Sequence, residues 1–243
     1  MPSILRVEGS WPGPLTITAG WFKARARPWN ESVPDPMVRL DRGGAEFLSS
    51  VTDRLEDLGA VGVYSPALYR GATRVWRRAG FEDHATLDVM ERPMDGVAVA
   101  GNHDGIGIDT DPDWDEMLTI DRSAFEGFWG MSRLGLEEAH TTNKSTALLV
   151  AHAGDRLAGY AIVGSQWGTV YLHRIAVRPE ESGKGLGAGL IKAAINWGNR
   201  TGATTMILNV RSENTRASRL YERLGFIGTG TSLQVLRHQP GSC

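Results

Sequence analysis

The sequence predicts an α/β chain with a mixed sheet, built as a tandem whose N-terminal copy is truncated. Three observations carry that prediction. Residues 171–177 are rich in β-branched and aromatic side chains, and a glycine run at Gly183, Gly185, Gly187 and Gly189 then gives way to helical spacing at Leu190, Ile191, Ala194, Ile195 and Trp197. Apolar runs at 146–153 and 157–163 flank Gly154-Asp155, a hairpin signal, so the sheet is antiparallel up to the 171 strand. The glycine loop and its helix then cross over to an apolar stretch at 205–210, which such a crossover places as a parallel neighbour. The third observation is an internal repeat: residues 72–81 shifted by 145 positions fall on 217–226, with Ala, two Arg, Gly and Phe identical and Val75 meeting Leu220.

Taken in order, residues 15–26 read as one or two strands, and Pro28, Pro34 and Pro36 mark an irregular connection. Residues 45–58 carry Phe47, Leu48, Val51 and Leu55 at helical spacing, residues 61–64 read as a strand, 72–79 as a helix and 85–90 as a closing strand. The helix ending at Gly59-Ala60 resembles the later one ending at Gly202-Ala203, so residues 1–95 read as a degenerate copy of the back half of the fold, and 96–243 as the complete domain. Asp41-Arg-Gly-Gly44 is too poor in glycine to cradle a phosphate, and Trp76 stands where the later copy has Tyr221, so the first copy is expected to be structural. Residues 93–112 are a linker with a short strand at 106–108. Asp104, Asp109, Asp111 and Asp113 lack the calcium-loop pattern, and Asp111 or Asp113 is expected to cap the next helix. Residues 114–141 read as two helices broken near Gly127 and Gly130, with Phe125, Phe128 and Trp129 near the break.

Composition excludes several classes. A net charge of −2 gives no footprint for nucleic acid, and no apolar run of 18 or more residues spans a membrane. Met1-Pro-Ser-Ile-Leu-Arg6 has no basic stretch ahead of an apolar one, so no secretory leader is expected. The single cysteine, Cys243, excludes an internal disulfide and fits the reducing cytoplasm, and its terminal place gives it nothing to lower its pKa. No metal site is expected.

Strand, glycine turn and helix together aim free backbone N–H groups at an anion, and the helix dipole adds about half a positive charge there. A P-loop reading fails because Lys184 is followed by Gly185 in place of Ser or Thr. A dinucleotide fingerprint is nominally present as Gly183-x-Gly185-x-x-Ala188, but residues 201–206 supply no acid for a ribose. A turn that merely packs a helix on a strand is the remaining alternative.

The context around the loop speaks to these alternatives. The run from Leu172 through His173, Arg174, Ile175, Ala176 and Val177 to Gly187, then 207–210, then Glu213-Asn214 and Leu220-Tyr221 through Gly225-Phe226, resembles the GNAT superfamily of N-acetyltransferases over about residues 104–238. The family's loop reads [Q/R]-x-x-G-x-[G/A]; Gly185 and Gly187 match, while Ser182 replaces the Gln or Arg. The resemblance implies the acyl-CoA N-acyltransferase fold and acetyl-CoA as co-substrate. It implies a binding set of Ile175, Ala176, Val177, Ser182, Gly183, Lys184, Gly185, Leu186, Gly187, Ala188 and Asn214. Loop amides would hold the pyrophosphate, and N–H groups of Ile175 and Val177 would reach the pantetheine arm and thioester.

Acetyl transfer to an amine needs a neutral amine, a donor for the tetrahedral oxyanion and a proton for the departing thiolate. By resemblance Tyr221 is the acid. Asn214, seven residues earlier on the same helical face, caps that helix. Ribosomal-protein N-acetyltransferases carry a Glu where this chain has Asn209, which cannot take a proton, whereas His173 in His-x-Ile-Ala-Val resembles the histidine of arylalkylamine N-acetyltransferases and would relay a proton. The implied acceptor is a small-molecule amine or a protein N-terminus, with Phe125, Phe128 and Trp129 on its wall. A non-catalytic acyl-CoA-binding module is the alternative that Ser182 and Asn209 suggest.

Overall fold

A computed structural model describes residues 4–100 and 105–239; Asp104 and Cys243 lie outside them. In chain order the elements are β1 (Arg6–Glu8), β2 (Leu15–Ala19), β3 (Phe22–Pro28), β4 (Pro36–Arg42), α1 (Ala45–Asp57), β5 (Val63–Tyr64), β6 (Leu68–Tyr69), α2 (Thr73–Arg78), β7 (Glu82–Pro93), β8 (Ile106–Asp109), α3 (Trp114–Ala124), α4 (Arg133–Thr141), β9 (Ser145–Ala153), β10 (Arg156–Gln166), β11 (Thr169–Val177), α5 (Leu186–Arg200), β12 (Thr205–Arg211), α6 (Thr215–Arg223) and β13 (Ile227–His238). The chain forms two compact units, Met1–Leu87 with Thr231–Cys243, and Asp88–Gly230. This division differs from the expected boundary after residue 95. Met90 and Met94 are buried in the second unit's core, while Leu236 is buried in the first.

In the first unit β1 to β4 form an antiparallel meander and β4 meets β5 in parallel at Met37↔Tyr64. The end of β13 pairs antiparallel with β5 at Arg237↔Tyr64. Strand β4 replaces the irregular connection expected from Pro34 and Pro36. Pro36 is the strand's first residue, where its missing N–H interrupts little of the ladder, and it faces Pro28. Helix α1 buries Phe47, Leu48, Val51 and Leu55 along one face, against Ile17, Ala24, Val38 and Trp76.

The second unit has the sheet order β8-β9-β10-β11-β12-β7. Neighbours from β8 to β11 are antiparallel, and β11 and β12 are parallel. Gly154 turns the β9–β10 hairpin, as its sequence position suggests. Strand β10 is buried on both faces. Ala161 and Val163 join α5's Leu190, Ile191, Ala194 and Ile195 in one core, while Tyr160 and Ile162 join Met117, Leu118 and Ile120 of α3 and Leu136 of α4 in another. Burial on both faces explains why β10 reads as a continuous apolar run. Asp113 caps α3, accepting from the N–H groups of Asp115 and Glu116, and Asp109 accepts from the Asp111 N–H; those aspartates serve turns and a cap. No helix among the described residues is long and apolar enough to cross a membrane.

The repeated segments fold alike. Phe81 N–H donates to Trp76 O at 3.1 Å and Phe226 N–H to Tyr221 O at 3.0 Å. The Trp76–Phe81 and Tyr221–Phe226 rings both meet edge-on, at 4.9 and 5.8 Å. The loops ahead of the two long helices differ. A Cβ at Gly43 would lie 2.5 Å from the Phe47 ring, whereas one at Gly183 would meet nothing within 4 Å.

Candidate active site

The site begins where two strands part. The β10–β11 ladder shifts register between Ile162↔Arg174 and Val163↔Leu172, leaving His173 as the extra residue of a bulge. Pairing of β11 with β12 ends at Leu172↔Leu208 among the described residues, although β11 runs on to Val177 and β12 to Arg211. Arg178 N–H donates to Ala158 O at 2.8 Å. In an alternating antiparallel ladder, Arg174 and Ala176 therefore bond β10, while Ile175 and Val177 turn their N–H and C=O into the gap beside β12. Ala176, part of the expected binding set, is buried with its backbone directed at β10.

Below the gap, α5 starts from Gly185 in the left-handed conformation (φ 89°), with no side chain capping its first turn. Gly183 also has positive φ (85°), a conformation a Cβ would strain. The first-turn amides have no partner within the helix, and a Cβ at Gly183 in the turn before them would meet nothing within 4 Å. Leu186 is buried and anchors the turn to the core. Gly187 sits against Val177 and Leu220, at 3.9 and 3.7 Å from where its Cβ would be. Ala188 is half-buried on the next turn position. Lys184 Nζ pairs with Glu181 at 3.0 Å. Ser182 Oγ accepts a 2.6 Å hydrogen bond from Arg216 Nη2, a contact not anticipated from the sequence.

Helix α6 carries Tyr221, and Asn214 caps it by accepting from the Ala217 N–H at 3.1 Å. Tyr221 is 6% exposed, and burial pushes its phenol up to about 12 against the opposing charge of Arg174. The phenol therefore stays protonated throughout the neutral range. Asn209 is exposed on β12.

His173 is held. Its Nε2 lies 2.5 Å from Asn143 Oδ1, and an amide oxygen only accepts, so Nε2 carries the hydrogen and Nδ1 is left as an acceptor. Burial lowers its pKa from 6.5 to about 4, so the ring is neutral at pH 7. Tyr171 stacks on it at 6.0 Å. Asn143 reaches His173 only because residue 164 is glycine: a Cβ there would sit 2.1 Å from Asn143 Oδ1.

The turn between α3 and α4 is fastened by a buried ion pair. Asp121, fully buried, accepts from Arg174 at 2.6 and 2.8 Å, from Tyr160 Oη at 2.7 Å and from the Met131 N–H at 2.7 Å. Arg174 also donates to Trp129 O at 2.8 Å, and its guanidinium lies 3.6 Å above the Phe125 ring. Phe128 and Trp129 meet edge-on at 5.2 Å, and Arg211 stands 5.3 Å over Trp129. Sequence reasoning missed this network. Its signal was present as Asp121 among the buried α3 positions Met117, Leu118 and Ile120, and as Arg174 inside an apolar strand, two charges that burial obliges to pair.

Comparison with known proteins bears on this geometry. Residues 114–226 match the model of the acetyltransferase (GNAT) family. The mycothiol acetyltransferase of Kineococcus radiotolerans is 30% identical over 210 residues, covering 81% of this chain and 67% of that protein. The mycothiol acetyltransferase of Acidimicrobium ferrooxidans is 27% identical over 218 residues, covering 81% and 69%. A tandem GNAT protein from the clavulanic acid biosynthesis pathway shares the fold with a TM-score of 0.64 and 13% identity, covering 100% of this chain and 86% of its own.

Proposed function

Because the chain belongs to the GNAT acetyltransferase family, we propose that its second unit moves the acetyl group of acetyl-CoA onto the primary amine of a small molecule. The observation that carries this reading is the gap between β11 and β12, with the Ile175 and Val177 amides turned into it, together with the left-handed glycine turn at Gly183 and Gly185. The residues present fit the coenzyme: a fixed run of amides suits a diphosphate, and extended backbone suits an amide-bearing arm. Acetyl-CoA supplies the activated acyl group. The Ser182-to-Ala188 loop and Asn214 hold its diphosphate end, and Ile175, Ala176 and Val177 form the strand that aligns its arm.

The amine attacks the thioester carbonyl directly. Positioning supplies much of the rate, since a held amine avoids the entropy of encounter. Tyr221, protonated at neutral pH, gives its hydroxyl proton to the departing sulfur and takes one back from solvent. His173, neutral and fixed by Asn143, offers Nδ1 as an acceptor for the amine's proton, passed through water to solvent. With a pKa near 4 it does not store that proton, so the relay is a path and solvent is the sink. The aromatic turn Phe125, Phe128 and Trp129 walls the acceptor side, and the two relatives named as mycothiol acetyltransferases favour a small acceptor over a protein N-terminus. The first unit, with Phe47 filling its loop and Trp76 in place of Tyr221, is read as a degenerate copy kept for structure.

Calorimetric titration of the whole chain with acetyl-CoA, beside a Gly185→Asp variant, tests the reading. Binding in the micromolar range that disappears in the variant is expected, because a carboxylate would occupy the anion's place and strain a left-handed residue. No binding by the unaltered chain overturns the coenzyme assignment. Binding without turnover across an amine panel would instead support the non-catalytic module.

A further inference from the structure

We propose that Arg216 is the cation of the diphosphate site, supplied from α6 to replace the one that the loop's first position lacks. This inference rests on the acetyl-CoA reading above. Ser182, which opens the loop, is uncharged. The cations nearest in sequence are already matched to carboxylates: Lys184 to Glu181 at 3.0 Å, and Arg178, buried, to Glu116 at 3.1 Å with its Nε donating to Leu157 O. Arg216 differs from both. Its one hydrogen bond goes to the neutral Ser182 Oγ, at 2.6 Å, and among the described residues no carboxylate lies within salt-bridge reach of it.

Arg216 is also badly placed for its own helix. It is the second residue of α6, whose first turn contains no acid, and a cation at that end opposes the helix dipole. The helix gains nothing from the charge; an incoming anion would. The geometry further makes Ser182 useful. Because its oxygen accepts from Arg216, its own hydrogen is left to donate, so hydroxyl and guanidinium form a pair of donors next to Gly183, where a Cβ would meet nothing within 4 Å. A guanidinium is suited to the oxygens of a diphosphate, where two parallel donors act together.

The experiment compares acetyl-CoA with S-acetylpantetheine, which lacks the diphosphate, as ligands of the full chain measured by calorimetry or by competition. Arg216→Ala is expected to weaken acetyl-CoA binding by about 10- to 100-fold, the range of a hydrogen bond to a charged group, and to leave S-acetylpantetheine within about twofold. Adding Ser182→Arg to Arg216→Ala is expected to restore acetyl-CoA affinity to within about threefold of the unaltered chain, since the cation returns from the loop itself. Arg216 is exposed, so the variant's thermal melt is expected to match the unaltered chain. Unchanged acetyl-CoA affinity in Arg216→Ala, or equal losses for both ligands, overturns the inference while leaving the coenzyme reading standing. Failure of the unaltered chain to bind acetyl-CoA overturns both.

Discussion

Gly164→Ala probes the support of the candidate site most directly. Residue 164 lies in β10, opposite Tyr171 of β11 and Thr146 of β9. A Cβ there would come within 2.1 Å of Asn143 Oδ1, 2.6 Å of its Cγ and 2.8 Å of its Cβ. No rotamer of Asn143 removes the last clash, because its Cβ is fixed to the main chain. Either the backbone at 143 shifts or the strand does, and overpacking of this kind costs about 1–3 kcal/mol. The shift also pulls Oδ1 from His173, and an unpaired, largely buried imidazole N–H adds about 1–3 kcal/mol. Relief of glycine's entropy in the unfolded chain returns about 0.5–1 kcal/mol, leaving a net loss of about 1–5 kcal/mol. Urea unfolding at neutral pH measures that loss. Asn143→Gly clears the space, so the double variant should be at least about 1 kcal/mol more stable than the sum of the singles. Native stability in Gly164→Ala, or strict additivity in the cycle, would refute the packing argument.

Three further outcomes follow from the same geometry. Asp121→Asn leaves Arg174 facing a neutral partner in a buried site, so a loss of about 3–5 kcal/mol is expected. Calorimetry should show it as a fall in melting temperature of roughly 10 °C. A melt unchanged from the unaltered chain would mean that the pair does not hold the turn. Tyr221→Phe should lower kcat by about a hundredfold with acetyl-CoA affinity nearly unchanged. As the phenol sits near 12, no limb of the rate profile between pH 6 and 10 should belong to it. His173 makes stability pH-dependent. Between pH 6.5 and about 4 the unfolded chain binds a proton that the folded ring refuses. Acidification through that window should therefore remove up to about 3 kcal/mol. The full contribution is present above pH 6.5, and His173→Gln should flatten the slope in urea titrations taken at each pH.

Much of this was legible from local pattern. The α1 stripe of Phe47, Leu48, Val51 and Leu55, the break between α3 and α4, the hairpin at Gly154 and the caps Asp113 and Asn214 each depend on residues close in sequence, where period and turn chemistry speak for themselves. Strand β4 was obscured by Pro36, because a proline reads as a break until its place at the strand's first position is known. The supports of the site were hidden for a different reason. Asn143 with Gly164 and His173, Asp121 with Arg174, and Ser182 with Arg216 are pairs whose members stand 21 to 53 positions apart. Nothing in a window of the sequence declares which distant residue a side chain will meet. A missing side chain, such as that of Gly164, advertises even less.

The return of 231–238 to the first unit sets the order in which this chain can be built. A ribosome delivers β1 to β5, α1 and α2 early, yet the core they enclose contains Leu236, fully buried among Phe47, Val51 and Trp76. Until nearly all of the chain has emerged, that core has a Leu-sized vacancy and β5 lacks its antiparallel neighbour. The first unit therefore waits, partly made, while the second is synthesised. A fragment ending near residue 95 would remain in that waiting state, with apolar surface open to whatever it meets.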